Sequence, residues 1–236
     1  MNKTVEYSLP ASVFKSLHTL FKGADTIRIT PTAIGWSMTV LSTDKTYITS
    51  VTVPVGMFSS YVQGGELCIS VNDLALVGRL KGDVTLYPGE GTVLCRAGRS
   101  ALDIPLYSDD SAPPKIPSLD PSFSATVSSD DIDECIASAG VLDAPFIRFD
   151  YDANESGTLT VSCAAPVESR KYWVEIDVNG GDYAARAAYS AETVASFIKA
   201  VGKGMLTISY STDYPMEITA DRGYVVKLMV APRVGD

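Results

Sequence analysis

Hydrophobic and polar positions repeat one pattern four times along the chain. Each copy has a polar start, an amphipathic stretch of about ten residues with the 3.6-residue period of a helix, a glycine or aspartate stop, and then alternating segments typical of strands. The copies begin near Pro10, Asn72, Ser129 and Ser190, so successive starts are 62, 57 and 61 residues apart. This spacing predicts four copies of one helix-and-strand unit, paired into two similar domains.

The first two predicted helices have basic residues on their polar sides. In the first helix Val13, Phe14, Leu17, Leu20 and Phe21 share one face, and the opposite face carries Lys15, His18 and Lys22. Asn72 is a candidate cap for the second helix, and Arg79 and Lys81 follow near its end. One face of the first helix is therefore predicted to be core and the other solvent-exposed. Positive charge at the end of the second helix suits the helix dipole, so that placement alone could be structural.

The last two predicted helices differ from each other in charge. The third begins at Ser129, exposes Asp131 and Glu134, and has no basic residue in its sequence. The fourth presents Lys199, with Lys203 just beyond its end. The third helix is therefore predicted to be acidic where the other three are basic.

A proline-rich segment with neither helical nor strand period separates the second and third copies. Residues 109–120 contain three prolines, which stiffen the backbone and remove hydrogen-bond donors, so the segment can cross a surface without joining a sheet. Ile116 and Leu119 are apolar residues in this segment. They either pack the connector against its own domain or form a surface on which another protein docks. We predict an α+β protein with one domain over residues 1–108, a connector over 109–120 and a second domain over 121–236.

Charge and cysteine usage limit the function classes. The chain has 19 Lys and Arg against 28 Asp and Glu, a net charge of −9, which by itself argues against nucleic-acid binding. Four cysteines without paired spacing and a single histidine argue against a zinc site and predict buried free thiols. No apolar stretch approaches the roughly 20 residues needed to span a bilayer.

His18 is the one imidazole available for acid–base catalysis. It shares the polar face of a helix with two lysines, as a solvated helix histidine does, and no nucleophile or phosphate-binding loop accompanies it. The sequence therefore favours a protein that is not an enzyme, and a hydrolase that uses His18 is the weaker alternative.

Four segments resemble those of the proliferating cell nuclear antigen (PCNA) family of DNA sliding clamps, in its archaeal form. The terminal segment is similar to the family's last strand followed by Ala-Pro-Lys/Arg and an aliphatic residue: Lys227-Leu228-Met229-Val230-Ala231-Pro232-Arg233-Val234. Residues 115–120, with the pair Ile116-Pro117, resemble its connector. Phe58 and Tyr61 resemble its Phe-x-x-Tyr motif, and residues 196–200 its fourth helix.

The resemblance implies the DNA clamp fold, in which each of two similar domains packs two helices on antiparallel sheets. Three subunits would close head to tail around duplex DNA, with the helices lining the hole, and the homotrimer would act as a DNA polymerase processivity factor in replication and repair. The DNA-facing residues implied are Lys15, His18, Lys22, Arg79, Lys81, Lys199 and Lys203. The protein would lie with the chromosome, in the cytoplasm of an archaeon or the nucleus of a eukaryote.

The partners implied by the resemblance are DNA polymerase, the clamp loader, a ligase and a nuclease. Each would dock a short motif with one aliphatic and two aromatic side chains into a pocket beneath the connector. The pocket residues implied are Leu41, Ile48, Ile116, Pro117, Leu119, Pro215, Met229, Ala231 and Pro232. No cofactor, no metal and no membrane contact is implied.

The chain departs from the family pattern in three places. Glu134 stands in the third helix where basic residues are usual, Asp44 lies two positions later than the family's loop aspartate, and residues 164–182 align loosely. Two alternatives therefore stay open: a subunit of a mixed ring, or a monomeric processivity factor that grips DNA without closing. The homotrimer is favoured by two predicted edge strands, Arg99–Tyr107 and Arg170–Val178, that would otherwise be unpaired.

Overall fold

The computed structural model of the chain describes residues 5–108, 113–153, 157–167, 169–179 and 183–233. Parts of three predicted features lie outside these residues: connector positions 109–112, positions 168 and 180–182 of the loosely aligned segment, and Val234 of the terminal motif. Within the described ranges, no helix is long and apolar enough to cross a membrane.

The chain divides into two compact units. The first comprises Met1–Lys115 and Arg222–Val226, and the second Ile116–Asp221 and Lys227–Asp236. The main division, between Lys115 and Ile116, falls inside the predicted connector. Each unit contains two helices and antiparallel strands, so the secondary structure follows the repeated pattern of the sequence.

The first unit has helices α1 (Ala11–Leu20) and α2 (Val71–Val77), and a short 3₁₀ turn at Val55–Met57. Its strands are β1 (Tyr7–Pro10), β2 (Thr26–Thr32), β3 (Gly35–Leu41), β4 (Tyr47–Pro54), β5 (Ser60–Tyr61), β6 (Leu67–Ser70), β7 (Asp83–Pro88), β8 (Thr92–Ala97) and β9 (Ser100–Pro105). Hydrogen-bonded neighbours run in the orders β5-β1-β7-β8-β9 and β4-β3-β2-β6. β9 is therefore the last strand of a five-stranded sheet.

The second unit has helices α3 (Ser129–Val141) and α4 (Ala191–Val201). Its strands are β10 (Phe123–Ser128), β11 (Phe146–Asp152), β12 (Thr158–Ala164), β13 (Lys171–Asp177), β14 (Ala185–Ser190), β15 (Met205–Tyr210), β16 (Met216–Asp221) and β17 (Val225–Val230), the last of which begins within the first unit's share of the chain. The neighbour orders are β13-β12-β11-β14 and β10-β15-β16-β17. β13 is the last strand of the four-stranded sheet.

Serine hydroxyl groups cap three of the helices, which corrects one prediction. Ser70, rather than Asn72, caps α2: its hydroxyl accepts a hydrogen bond from the backbone N–H of Asn72 at 3.2 Å. A capping residue has an extended backbone, and Ser70, the last residue of β6, has this conformation. Asn72 lies within α2 itself and is therefore not the cap. Ser128 caps α3 in the same way, and the hydroxyl of Ser190 caps α4 by accepting a hydrogen bond from the backbone N–H of Thr193 at 3.3 Å.

The cores of both units are built around aromatic clusters. In the first unit the rings of Phe58 and Tyr61 lie 4.8 Å apart beside Trp36, and the Tyr61 hydroxyl donates to the carbonyl oxygen of Thr32 at 2.6 Å. The Phe-x-x-Tyr motif therefore has a structural role here. The corresponding cluster of the second unit comprises Phe123, Phe149, Tyr151, Tyr189 and Tyr210.

All four cysteines are buried free thiols, so that prediction is confirmed. Burial raises the pKa of the Cys95 thiol and of the Cys135 thiol to about 12. Both are therefore protonated at neutral pH, and their contribution is to packing, since the thiolate is the reactive form.

Candidate functional site

Five of the predicted DNA-facing residues lie on or just after the two helices of the first unit. Lys15 is exposed on α1, His18 is half-buried on the same side of that helix, and Lys22 is exposed in the turn that follows it. Arg79 and Lys81 are exposed in the turn that follows α2. We refer to these five residues as the basic helix face.

Gly78 allows the two parts of the basic helix face to meet. A Cβ atom at this position would lie 2.9 Å from the backbone nitrogen of Lys15, closer than a real Cβ contact. Because Arg79 follows Gly78 directly, its side chain starts beside the turn of α1 that carries Lys15. The close packing of α1 on α2 therefore concentrates positive charge in this unit.

Replacing Gly78 with Ala is expected to lower the free energy of unfolding by about 1–3 kcal/mol, because the new methyl group meets backbone rather than a movable side chain. Gly140 on α3 is the matched control, since a Cβ there meets nothing within 4 Å. Gly140→Ala should be neutral or stabilising by about 0.5–1 kcal/mol. Urea denaturation of the two variants would measure the difference, and equal stabilities would contradict the proposed close contact.

The basic residues of the second unit are in a different environment. Lys199 is exposed on α4. Lys203 lies beyond the helix, where its Nζ is 3.0 Å from Oδ1 of Asp130, and hydrogen bonding to this carboxylate raises the pKa of Lys203. Both partners are largely exposed, so the pair contributes little to stability. A lysine held against a carboxylate nevertheless attracts phosphate less, because the local charge is cancelled.

Acidic residues dominate α3, as predicted. Glu134 is exposed and accepts a hydrogen bond from the hydroxyl of Tyr172 on β13 at 2.9 Å, which raises the pKa of Tyr172. Asp131 is half-buried rather than exposed, which corrects that part of the prediction; it sits one position before the fully buried Ile132. The carboxylates of α3 outnumber Lys199 and Lys203, so the helices of the second unit attract phosphate less than those of the first.

Two of the predicted pocket residues lie in the first unit. Leu41 and Ile48 stand directly opposite each other on β3 and β4, and both are half-buried. The turn between the strands is closed by Ser42, whose hydroxyl accepts hydrogen bonds from the backbone N–H groups of Thr46 and Tyr47 at 3.0 Å each. The hairpin therefore presents one cross-strand aliphatic pair near its tip.

The other predicted pocket residues lie in the second unit, where β14 holds two segments together. The backbone N–H of Asp213, in the loop that contains Pro215, donates to the carbonyl of Arg186 at 3.0 Å. The N–H of Arg233 donates to the carbonyl of Ala188 at 2.8 Å, two residues further along β14. The loop that contains Pro215 and the segment that contains Ala231 and Pro232 are therefore both held by the same part of β14.

The remaining pocket residues differ in how much surface they offer. Ile116 is 48% exposed and Pro117 is exposed, whereas Leu119 is half-buried. Met229 is only 7% exposed at the end of β17 and so offers little surface. The exposure of Ile116 fits a role in docking another protein. The partial burial of Leu119 fits a role in packing the connector against its own domain.

Sequence reasoning missed one contact that fixes the end of the described chain. The guanidinium of Arg233 lies 5.5 Å from the ring centre of Phe146, a cation–π contact that adds to the backbone bond of Arg233 to β14. Arg233 belongs to the terminal motif, but the sequence does not indicate that Phe146 is its partner.

Within the described residues, no three His, Cys, Asp or Glu side chains are grouped so that they could hold a metal ion.

Solved structures identify the architecture. No family model and no curated protein matches the chain. A structure of A. fulgidus PCNA bound to the C-terminal region of FEN-1 matches with a TM-score of 0.85 and 19% identity, covering 98% of this chain and 99% of that one. The chain has the fold of a PCNA clamp. Thermococcus kodakaraensis PCNA matches with a TM-score of 0.84 and 18% identity, over 98% of this chain and 100% of that chain.

A third match is the PCNA2–PCNA3 complex of Sulfolobus tokodaii, with a TM-score of 0.81 and 16% identity, over 97% of this chain and 99% of that chain. The predicted α+β clamp fold is therefore confirmed, as is the resemblance to archaeal PCNA on which it was based.

In this clamp fold, β9 and β13 each end a sheet, and one side of each is unpaired among the residues that the structure describes. Trp173, near the middle of β13, is 56% exposed, and the Nζ of Lys171 lies 6.0 Å from its ring centre. Long exposed edges pair with other strands unless they are blocked. These strands correspond to the two edges that the sequence predicts, although the exposure of Trp173 was not foreseen.

Proposed function

We propose that the chain is one subunit of a homotrimeric sliding clamp that encircles duplex DNA and holds DNA polymerase and other replication and repair proteins on it. The observation that carries the proposal is the clamp fold, which extends over 98% of the chain in the match to A. fulgidus PCNA. The basic helix face and the two open sheet edges support it. No catalytic role is assigned to His18.

A ring holds DNA by topology, so its interior needs only weak, non-specific attraction. Exposed lysines that face phosphates across water supply this attraction without reading sequence, which permits sliding. With a net charge of −9, the rest of the surface repels DNA. Lys15, Lys22, Arg79, Lys81 and Lys199 are the residues that best fit this role, whereas Lys203 is partly neutralised by Asp130.

Tethering requires a surface that binds partner peptides, and the exposed apolar connector fits this requirement. Ile116 has a large aliphatic side chain, about half of which is exposed to solvent. The A. fulgidus PCNA structure contains the C-terminal region of FEN-1, so a protein of this fold binds such a segment. We extend this mode of binding to the present chain, with DNA polymerase, clamp loader, ligase and nuclease as the classes of partner.

A mixed ring is the second candidate. It is favoured by the acidic helix α3, which departs from the pattern of a uniformly basic interior, and by the existence of a PCNA2–PCNA3 complex in Sulfolobus tokodaii. In a mixed ring another subunit would supply the missing positive charge.

The mass of the purified protein distinguishes the two candidates. Three chains of 25.1 kDa give a particle of about 75 kDa. Light scattering at micromolar concentration is expected to show this mass for the homotrimer, because a strand-paired interface should hold there. A monomer alone under these conditions would contradict the closed homomeric ring and leave the mixed ring and the monomeric processivity factor.

A further inference from the structure

Helix α3 packs against one face of the four-stranded sheet β13-β12-β11-β14. On that face the Sγ of Cys163 on β12 lies 3.6 Å from the carbonyl oxygen of Cys135 on α3. Because side chains alternate along a strand, Ser162 and Ala164, the neighbours of Cys163, point to the opposite face. We refer to this opposite face as the open sheet face. The whole sheet belongs to the second unit.

Two aromatic side chains and two cations form the corners of a quadrilateral on the open sheet face. One row across the strands runs from Trp173 on β13, over a small residue of β12, to Arg148 on β11. The next row runs from Lys171 on β13, over a second small residue of β12, to Phe146 on β11. The two rings are therefore diagonally opposite each other, and each has a cation beside it.

Both rings offer surface to a ligand, since Trp173 is 56% exposed and Phe146 is 40% exposed. The Nζ of Lys171 lies 6.0 Å from the ring centre of Trp173, and the Arg233 guanidinium lies 5.5 Å from that of Phe146. Within the described ranges, no ion pair includes Lys171, Arg148 or Arg233. We refer to these two aromatic and three basic residues as the aromatic–cation patch.

The row beside the aromatic–cation patch differs in charge. It contains Glu175 on β13 and Asp150 on β11, and Oδ2 of Asp150 accepts a hydrogen bond from Nε of Arg186 at 2.6 Å. The aromatic–cation patch is therefore small. It is a local exception to the repulsion of nucleic acid that the net charge of −9 gives the surface as a whole.

We propose that the aromatic–cation patch binds single-stranded nucleic acid. One base stacks on Trp173 and a second base on Phe146, while the three cations contact the phosphates. Exposed aromatic rings on a sheet face stack unpaired bases of any sequence, and neighbouring cations attract the backbone. The inference goes beyond the clamp function and does not depend on ring closure, because all five residues lie in the second unit.

The spacing of the two rings favours a single strand over a duplex. Trp173 and Phe146 are two strands and two residues apart, which is roughly 12 Å between Cα atoms for ordinary strand spacing and rise. The bases of a duplex are about 3.4 Å apart along each strand and are stacked on one another. Rings this far apart cannot both stack on such bases, whereas a flexible single strand can present two separated bases.

An acidic peptide also has the charge that the three cations require. Its side chains would need pockets to anchor in, because the residues that dominate peptide binding are buried in pockets. Ser162 and Ala164, between the two rows, are small and leave a flat surface instead. A flat surface beside exposed rings suits a planar base better than an aliphatic anchor.

Tryptophan fluorescence tests the stacking directly. The chain has two tryptophans, of which Trp36 is fully buried and Trp173 is exposed, so quenching by an added ligand reports on Trp173. An oligothymidylate of about 12 nucleotides is within the usual range of binding-site sizes. In low salt it is expected to quench this fluorescence with a dissociation constant on the order of 10 µM. The same oligothymidylate in a duplex with its complement should quench far less.

Fluorescence anisotropy of the labelled oligothymidylate measures the contribution of each residue. Trp173→Ala and Phe146→Ala are each expected to weaken binding about tenfold, because each removes one stacked base. Arg148→Gln should reduce the slope of log affinity against log salt by about 0.7, the value for one phosphate contact to a single strand. Circular dichroism of each variant checks the fold.

Tyr183→Ala and Arg96→Gln are the matched controls. Tyr183 is 70% exposed in the loop before β14, and Arg96 is exposed on β8 in the first unit, so both lie outside the aromatic–cation patch. Each should bind the oligothymidylate within about twofold of the parent, as for an ordinary surface substitution. Losses in these controls equal to those of the patch variants would overturn the proposal.

The remaining outcomes decide what occupies the patch. Absence of quenching by the single strand, or equal quenching by the duplex, would overturn the proposal. So would displacement of the labelled strand by an oligoglutamate peptide of the same length at equal concentration, which would identify a site for acidic peptides. Changing Lys15, Lys22 and Arg79 together to Glu should keep the quenching at saturation, and its loss would place the single strand on the basic helix face instead.

These measurements are separate from those of the proposed function. Retention on duplex circles reports on encirclement, whereas quenching by oligothymidylate reports on the open sheet face. A protein that encircles duplex DNA but shows no quenching would overturn this inference alone. A protein that shows quenching but no retention would overturn the sliding clamp and leave the single-strand site in place.

Discussion

Ile116→Asp is expected to weaken the binding of a partner-motif peptide by about 2–4 kcal/mol, a loss of roughly 30-fold to 1000-fold in affinity. The side chain is 48% exposed in the free chain, so it has apolar surface left to bury against a ligand. A carboxylate in its place would have to lose its hydration shell beside aromatic side chains. Isothermal titration calorimetry with a peptide that carries one aliphatic and two aromatic anchors would measure the change.

The variant should fold like the parent because a half-exposed connector residue contributes little to the core. Ile34→Asp is the matched control: Ile34 is 73% exposed in the turn between β2 and β3, outside the set of predicted pocket residues. It makes the same chemical change and should leave peptide binding within about twofold, as for an ordinary surface substitution. Equal affinities of the Ile116 and Ile34 variants would show that the pocket has been misplaced.

The helices and their order could be predicted from the sequence because each has a clear apolar stripe and a nearby stop. α1, α3 and α4 begin within a residue of the predicted starts. α2 shows the limit of local signals, since Ser70 and Asn72 are both good caps two positions apart. The end of β6 decides between them, and that is set by strand pairing with β2.

Long-range contacts explain most of what the sequence did not reveal about the candidate site. Lys203 and Asp130 are far apart in the sequence and meet only because α4 ends beside the start of α3. In the sequence, Gly78 has the features of an ordinary residue that ends a helix. Its closeness to Lys15 depends on the packing of α1 against α2, which the sequence alone does not show. The connector and the terminal motif could be identified from the family resemblance. How far Ile116 and Met229 are exposed to solvent is known only from the structure.

A quadruple variant, Lys15→Glu, Lys22→Glu, Arg79→Glu and Lys199→Glu, is expected to prevent stable loading of the protein on circular DNA at low salt, and therefore to abolish its retention there. Each of these exposed residues alone should have a mild effect, because contacts across water are screened over about 10 Å at 0.1 M salt. Together they remove most of the unpaired positive charge from the helices and replace it with repulsion. Lys203 is left unchanged because Asp130 already neutralises part of its charge.

Net charge alone could also weaken DNA binding, so the control carries the same change in charge elsewhere. Lys45, Arg96, Lys115 and Arg148 are exposed and lie on a hairpin turn, two strands and the connector. Changing these four to Glu should preserve most of the retention. Both quadruple variants should keep the parent's mass, and equal loss of retention in the two would defeat the assignment of the helices as the DNA-facing surface.

Retention of the parent protein on closed and cut DNA tests the central claim most directly. The protein is loaded on nicked circular DNA by a clamp loader with ATP, freed of unbound protein by gel filtration, and then treated with a restriction enzyme that cuts the circle once. A ring that encircles the duplex is predicted to stay on the uncut circle and to slide off the linear product. Equal retention on circular and linear DNA would contradict encirclement, because it would show that the protein holds DNA by surface contact alone.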